Sequence, residues 1–397
     1  MNETTAIRAA SAVPFDAAKL DAILDKAGID ALIVTSKHNL QYLLGGYRFF
    51  FFEHFDAIGV GRYIPLLVYQ KGHPERTRYI GNGMERYEHE LGQLWAPEFV
   101  SAWYGDNSMK AATDHLKKLG LGKARIGLER AFIGMDTADT LKRELPDAAI
   151  VDALVPLERM RAVKTPEELA YLRKASEEVV GAMLDVIAEH APGTSTRTLA
   201  DALKREEQER GVMFDYCLIT AGTSQNRAPS DKLIWGEGDP LTLDSGGNIN
   251  GYIGDLCRMG IHGDPDAELQ DLLAEIDEIQ MTSRKPIRAG AAGGEIFAAV
   301  DPLLRKSPHG NLLEFVAHGM GLIAHEAPRL TNKAPVPYPD DDAREPLKAG
   351  MVLSIETTLP HPKRGYIKLE DTVVVTETGW EAFGDGGRGW NRGGTAL

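Results

Sequence analysis

The chain has 397 residues, of which 43% are hydrophobic and 26% are charged, a balance typical of a globular protein long enough for two domains. The formal net charge of −14, with no long lysine or arginine run to offset it, argues against a nucleic-acid partner. The N-terminus shows no signal-peptide pattern, and no apolar run approaches the roughly 20 residues that span a bilayer. The few cysteines suit a reducing compartment. These features predict a cytoplasmic protein without a membrane partner.

The first part of the chain alternates between helix and strand patterns. Helices are predicted at 17–27, 108–119 and 135–144, and strands at 31–35, 63–69, 78–80 and 124–128. This alternation predicts an α/β domain. The segment has no glycine-rich phosphate loop, and we expect no catalytic cluster within it.

The second part mixes long helices with antiparallel strands, which predicts an α+β domain. Thr165, Pro166 and Glu168 form a helix-start pattern, with a capping residue, a proline in the first turn and a capping-box glutamate. This start follows a predicted domain boundary, so we expect domains at 1–158 and 159–397. Helices are predicted at 165–190, 196–210, 267–283 and 294–304, and a strand at 215–220.

The segment 241–259 (LTLDSGGNINGYIGDLCRM) carries the first candidate chemistry. Asn250-Gly251 predicts a two-residue hairpin loop between two strands. That loop places Asp244 opposite Cys257, so that Asp244 and Asp255 are diagonal neighbours on one face, roughly 7–8 Å apart at the backbone. Their carboxylates can then converge on two metal ions about 3.5–4 Å apart. The alternative is a polar hairpin with two solvated aspartates.

Later segments add further candidate ligands. His318 and His325 are seven residues apart in a glycine-containing segment. Glu356 is predicted to end an apolar strand, and Lys368 and Glu370 are predicted to point to one face of a closing strand. Burying an acidic side chain beside such strands is costly unless it is paired or binds a metal.

This set of residues, in this order, resembles the creatinase/prolidase/methionine aminopeptidase family of pita-bread metallohydrolases. The specific pattern is an Asp, a second Asp eleven residues later, a His in HGxG, a Glu after a hydrophobic strand and a Glu in a closing strand. The resemblance implies an α/β N-terminal domain followed by an α+β pita-bread catalytic domain. It is closest in pattern to Xaa-Pro dipeptidases and aminopeptidases, which implies hydrolysis of a small peptide or amide by a homodimer.

Transferred to this chain, the resemblance implies two divalent metal ions. Asp244 would bind one ion, His318 and Glu356 the other, and Asp255 and Glu370 would bridge both. Such oxygen-rich ligands suit manganese, cobalt, zinc or iron. A water between the ions would be converted to a hydroxide nucleophile.

Two residues are implied to act directly in catalysis. Glu356 would accept a proton from the attacking water. His325 matches the second histidine of the family, which contacts the substrate and steadies the oxyanion.

The chain departs from the family where substrate is expected to bind. Proline-peptide hydrolases of the family usually have a histidine near the position of Arg227 and often another at the position of Glu314. Lys368 replaces a common arginine, which keeps the charge but loses the bidentate fork. We therefore consider Arg227, Tyr252, Glu314, Tyr366 and Lys368 as candidate substrate-binding residues.

Three functions remain open at this point. An Xaa-Pro peptidase-like metallohydrolase is preferred. The changed substrate shell favours, as an alternative, a creatinase-like or other hydrolase of a non-peptide C–N bond in a small substrate. A non-catalytic binding module is the third, although such relatives typically lose the metal ligands, and this acidic chain retains all five.

Overall fold

The computed structural model describes residues 12–49, 64–331 and 342–394. The chain divides into two compact units, Met1–Arg161 and Ala162–Leu397. The boundary predicted after residue 158 falls within Leu154–Arg161, the helix that ends the first unit. None of the helices in the described ranges is both long enough and apolar enough to cross a bilayer.

The first unit is an α/β domain built on a six-stranded mixed sheet in the order β4-β3-β2-β1-β5-β6. Its strands are β1 (Ala31–Val34), β2 (Leu66–Gln70), β3 (His73–Gly81), β4 (Glu98–Ser101), β5 (Arg125–Leu128) and β6 (Ala149–Asp152). Its helices are α1 (Ala17–Ala27), α2 (Lys37–Leu43), α3 (Glu85–Leu91), α4 (Gly105–Lys118), α5 (Met135–Glu144) and α6 (Leu154–Arg161). Alternate residues of β1 belong to two different apolar clusters, so the sheet is buried on both faces.

The predicted helices of the first unit are confirmed at 17–27 and 135–144. The strand predicted at 63–69 begins at Leu66, and Tyr63 lies outside the described residues. The sequence analysis missed α2, α3 and α6, which have seven, seven and eight residues. Such short helices give the hydrophobic period too few turns to be recognised.

The second unit begins with α7 (Pro166–Glu189), whose predicted capping box is confirmed. The hydroxyl of Thr165 accepts a hydrogen bond from the Glu168 amide, and the Glu168 carboxylate accepts one from the Thr165 amide. The other helices are α8 (Thr196–Glu209), α9 (Ala267–Arg284) and α10 (Glu295–Lys306), close to their predicted ranges. Apolar side chains of α7 and α8 pack on the sheet.

The large sheet of this unit runs in the order β12-β13-β14-β11-β10-β8, with β15 added to β14 and β16 to β11. The bounds are β8 (Met213–Ala221), β10 (Pro240–Ile249), β11 (Tyr252–Ile261), β12 (Glu314–Gly319), β13 (Val352–His361), β14 (Gly365–Val375), β15 (Trp380–Phe383) and β16 (Trp390–Arg392). A separate two-stranded sheet pairs β7 (Thr194–Ser195) with β9 (Ile234–Trp235).

The β10–β11 hairpin has the predicted register. Asn250 and Gly251 have φ values of 51° and 83°, the positive values that a two-residue turn of this kind requires. Asp244 faces Cys257, and Asp255 lies two residues from Cys257 on the same face. The hairpin therefore brings the two aspartates to one side of the sheet.

One strand end was wrongly predicted. Glu356 was expected to end its strand, but β13 continues to His361 and pairs with β14 along that whole length. The polar residues after Glu356 include threonines, which pair well in strands, so polarity alone was a poor signal for the strand end.

Candidate metal centre

The five candidate ligands lie on five neighbouring strands of the large sheet. Across the sheet they follow the order His318 on β12, Glu356 on β13, Glu370 on β14, Asp255 on β11 and Asp244 on β10. Glu356 and Glu370 are directly opposite each other, and Glu370 is opposite the residue that faces Asp244. The pairing therefore puts the carboxylates on one face of the sheet.

Three of these side chains offer donor atoms close enough for one metal ion. Ligand atoms of Asp255, His318 and Glu370 all lie within 4.8 Å of one another. The Nδ1 atom of His318 lies 3.2 Å from the carbonyl oxygen of Gly319, which favours the proton on Nδ1. Its buried Nε2 atom has no hydrogen-bond partner in the described part of the chain. This donor set fits a divalent ion, because a ligating histidine needs one ring nitrogen unprotonated.

The electrostatics of the cluster also indicate a cation site. Burial, followed by the negative charges of Glu370 and Asp244, holds the pKa of Asp255 well above its usual value. Burial and Glu370 also raise the pKa of Asp244, although nearby Lys368 and Arg227 oppose that shift. Carboxylates packed this closely need positive charge to remain ionised.

Lys368 lies within the ligand cluster. Its ammonium nitrogen is 2.7 Å from Asp244 Oδ2, 2.7 Å from Glu370 Oε2 and 2.9 Å from Glu356 Oε2. Burial alone would lower the pKa of Lys368, but these three negative charges outweigh it and hold that pKa well above its usual value. Lys368, which was predicted to bind substrate, thus forms ion pairs with three candidate metal ligands.

Two more of the predicted substrate-binding residues lie beside the cluster. The Arg227 guanidinium donates a hydrogen bond to Asp244 Oδ2, the oxygen that Lys368 also contacts. Its central carbon lies 5.0 Å from the centre of the Tyr366 ring, within cation–π range. The Arg227 side chain is 34% exposed, so it joins the buried centre to solvent.

Tyr252 and Glu314 are placed differently. The Tyr252 hydroxyl donates a hydrogen bond to Glu168 on α7 at 2.7 Å, and its ring stacks on Tyr171. Glu314 is solvent-exposed at the start of β12, opposite Thr358. The structure thus assigns Tyr252 a hydrogen bond that links β11 to α7 and leaves Glu314 at the surface.

His325 lies directly against the cluster. Its ring stacks on His318 with centroids 3.7 Å apart, and both rings have a ligand atom within 4.8 Å of Glu356. Burial, followed by nearby positive charge, lowers the pKa of His325 to about 3, so its ring is neutral at physiological pH. A buried ion pair of 3.1 Å between Glu326, the next residue after His325, and Lys164 holds this segment in place.

The sequence analysis missed Tyr216, whose hydroxyl donates a hydrogen bond to Asp255 Oδ1. Tyr216 on β8 faces Gly246 on β10, and a Cβ at Gly246 would lie 2.4 Å from the tyrosine ring. The glycine therefore makes room for the tyrosine. The sequence analysis also missed Ser354, whose hydroxyl donates a hydrogen bond to Glu370 Oε1 at 2.7 Å. The glycine pair in the hairpin was the available signal for Tyr216.

A pita-bread sheet carrying four carboxylates and an imidazole on one face defines the class of metal-dependent hydrolases. The profile of the metallopeptidase family M24 matches residues 170–377 of this chain, and that of the creatinase/prolidase N-terminal domain matches residues 17–163. The chain belongs to metallopeptidase family M24, as the residue pattern predicted.

Individual relatives agree with this assignment. The chain is 24% identical to the uncharacterized peptidase YqhT of Bacillus subtilis over 367 residues, covering 91% of this chain and 95% of the relative. It is 24% identical to an Xaa-Pro dipeptidase of Pyrococcus horikoshii over 375 residues, with 91% and 94% of the two chains covered.

Solved structures confirm the fold. The prolidase of Pyrococcus horikoshii superposes with a TM-score of 0.76 at 20% identity, covering 93% of this chain and 97% of that one. The X-Pro aminopeptidase of Thermotoga maritima gives a TM-score of 0.74 at 18% identity, covering 94% and 99%. The predicted architecture, an α/β domain followed by a pita-bread domain, is confirmed.

Proposed function

We propose that this metallopeptidase cleaves small peptides at the bond preceding proline, as an Xaa-Pro dipeptidase or aminopeptidase. The observation that carries the proposal is the convergence of five donor side chains on one sheet face, where the buried Nε2 atom of His318 has no hydrogen-bond partner among the described residues. Relatives that are named Xaa-Pro dipeptidases, matched over most of this chain's length, support the substrate class.

The chain's own residues have distinct roles in this proposal. Asp255, His318 and Glu370 would hold a divalent ion, which would supply Lewis acidity for the activation of water and of the scissile carbonyl. Glu356, half-buried beside His318, accepts a proton from the attacking water. The neutral His325 ring donates a hydrogen bond to the oxyanion that develops on the carbonyl oxygen.

Arg227 is the proposed contact for the free carboxylate of a dipeptide. Its guanidinium is partly exposed at the edge of the centre, and the Tyr366 ring supports one side of it. A guanidinium can bind a carboxylate through two parallel hydrogen bonds, which would select short substrates.

One observation favours a second candidate function. Arg227 contacts Asp244 at a position where proline-peptide hydrolases of this family usually have a histidine. A substrate pocket altered in this way would suit hydrolysis of a non-peptide C–N bond in a small anionic substrate.

The test uses protein stripped of metal and reconstituted separately with Mn²⁺, Co²⁺, Zn²⁺ or Fe²⁺. Each sample is assayed with Xaa-Pro dipeptides, Xaa-Pro tripeptides, matched Xaa-Ala peptides and small non-peptide amides. We expect metal-dependent cleavage of Xaa-Pro substrates at least about tenfold faster than of Xaa-Ala, since a matched pocket discriminates by that order. Metal binding with cleavage only of non-peptide amides would select the second candidate. Absence of metal binding would refute both.

A further inference from the structure

The carboxylate oxygens of the centre are divided between two sides. Asp244 Oδ2 and the Oε2 atoms of Glu356 and Glu370 all lie within 2.9 Å of the Lys368 ammonium. The Oε1 atoms of the same two glutamates face His318 Nε2 instead, at 3.7 and 4.0 Å. One side of the centre is therefore lined by a lysine, and the other by an imidazole nitrogen that has no hydrogen-bond partner in the part of the chain that the structure describes.

The formal charges of the centre point the same way. Asp244, Asp255, Glu356 and Glu370 carry four negative charges, and the Lys368 ammonium and the Arg227 guanidinium carry two positive ones. With a neutral water as the remaining ligand, one divalent ion would therefore complete the neutralisation, whereas a second would leave two excess positive charges in a buried site. Unbalanced charge is costly at low dielectric.

The ammonium group of Lys368 matches the carboxylate acceptors on the Asp244 side of the centre. An ammonium is a compact charge with three donors, and here it has three carboxylate acceptors. The longer fork of an arginine would present a planar pair of donors instead. Lys368 is also nearly fully buried, so water does not replace these contacts.

We propose that Lys368 acts as a built-in cation on the Asp244 side of the centre, so that the enzyme binds one divalent ion tightly, on the His318 side. A second ion must displace the ammonium and therefore binds far more weakly. This replaces the expectation of two divalent ions, and it rests on the proposed function only in requiring a metal centre.

The wild-type protein gives the first test. The metal-free protein is titrated with Mn²⁺, the bound metal is counted by elemental analysis after gel filtration, and the spin state is followed by electron paramagnetic resonance. We expect one retained ion per chain with the signal of an isolated Mn²⁺. Two retained ions with an exchange-coupled signal would overturn this proposal and leave the proposed function intact. No retained ion would overturn both.

Variants then test whether Lys368 is the cause. In Lys368→Met the affinity for a second Mn²⁺ should rise at least about a hundredfold, because the competing charge is removed. Lys368→Arg, which keeps the charge, should strengthen the second site much less. The exposed Lys363 provides the matched control, and Lys363→Met should behave as wild type.

Circular dichroism and thermal melting establish that each variant is folded. A folded Lys368→Met protein that binds only one ion tightly, as wild type does, would overturn the role given to Lys368. If Lys368→Met fails to fold, the wild-type titration still decides the proposal, because two tightly bound ions in the wild-type protein contradict it.

Discussion

Strand β14 separates two buried ionic clusters that differ in how their negative charge is neutralised. On one face, Asp371 is contacted by Arg258 at 2.9 Å, by Arg284 at 2.7 Å and by Arg388. Burial alone would raise the pKa of Asp371, but the three arginines outweigh burial and hold that pKa below its usual value. On the other face, the neighbouring residue Glu370 belongs to the cluster of candidate metal ligands.

The cluster of Asp371 with its three arginines, here called the balanced cluster, has a structural role. Arg258 also donates hydrogen bonds to the carbonyl oxygens of Gly384 and Gly386, which fixes the C-terminal segment to the sheet. In the ligand cluster, by contrast, burial, followed by the negative charges of Glu370 and Asp244, shifts the pKa of Asp255 upward. Two residues of one strand, one position apart, thus show how a buried carboxylate is either neutralised by the chain itself or left to bind an ion.

Removing a carboxylate from the ligand cluster should have the largest effect. In Asp255→Ala we expect the bound metal and the peptidase activity to be lost together, because Asp255 is one of three side chains that converge on the ion position. Elemental analysis and the Xaa-Pro assay measure the two losses on one sample. Asp264→Ala, at an exposed position, is the control. An active, fully metallated Asp255→Ala protein would show that the site is wrongly assigned.

The same kind of change in the balanced cluster should give the opposite result. Asp371→Asn leaves the buried Arg258 and Arg284 and the partly buried Arg388 short of their shared acceptor, which should lower the free energy of unfolding by about 3–5 kcal/mol. Denaturant unfolding measures the loss, and elemental analysis should find the metal content of the folded protein unchanged. The exposed control Asp264→Asn should leave stability nearly unaltered. A variant that loses metal without losing stability would contradict the comparison.

A smaller effect is expected from the ring stacked on the ligand histidine. His325→Ala should retain the metal while turnover falls about a hundredfold, since a hydrogen bond to the developing oxyanion is removed. Rapid-quench or steady-state assays at saturating substrate report the change. His190→Ala, at the end of α7, should have no such effect. Loss of metal from His325→Ala would mean that His325 is a ligand.

Local rules predicted the parts of the site that depend on local geometry. The Asn250-Gly251 turn determines the register of the hairpin because both residues take positive φ, and that register brings Asp244 and Asp255 to one face. Alternation along β14 likewise predicted that Lys368 and Glu370 share a face. The fold followed from a residue pattern that resembles a known family.

The remaining contacts depend on segments far apart in the sequence. Tyr216 on β8 reaches Asp255 on β11 across the intervening strand β10, and Arg388 reaches Asp371 from the C-terminal segment. No periodicity reports such pairs. The ammonium of Lys368 is another case, because two of its three acceptors, Asp244 and Glu356, lie on other strands and only the folded sheet brings them to it.

Glu207 on α8 shows a third way to bury a carboxyl group, through a hydrogen bond with Ser245. Burial raises the pKa of Glu207 to about 8, and the hydroxyl of Ser245 lies 2.9 Å from its Oε1. That hydroxyl also lies 2.6 Å from the carbonyl oxygen of Tyr216, and it has one hydrogen to donate. A protonated Glu207 resolves the conflict by donating to Ser245 while Ser245 donates to Tyr216.

The proton on Glu207 predicts a pH-dependent stability. Its pKa is about 8 in the folded protein against 4.5 without the shift, so the stabilisation is complete below pH 4.5 and is lost as the pH rises to 8. Relative to Glu207→Gln, wild type should lose up to about 1.4 kcal/mol per pH unit across that window. Denaturant unfolding from pH 5 to 8, at constant metal loading, measures the difference. Glu209→Gln, exposed on the same helix, should follow wild type. Parallel curves for wild type and Glu207→Gln would mean that the Glu207 carboxyl is ionised in the folded protein across this range, and would contradict the raised pKa.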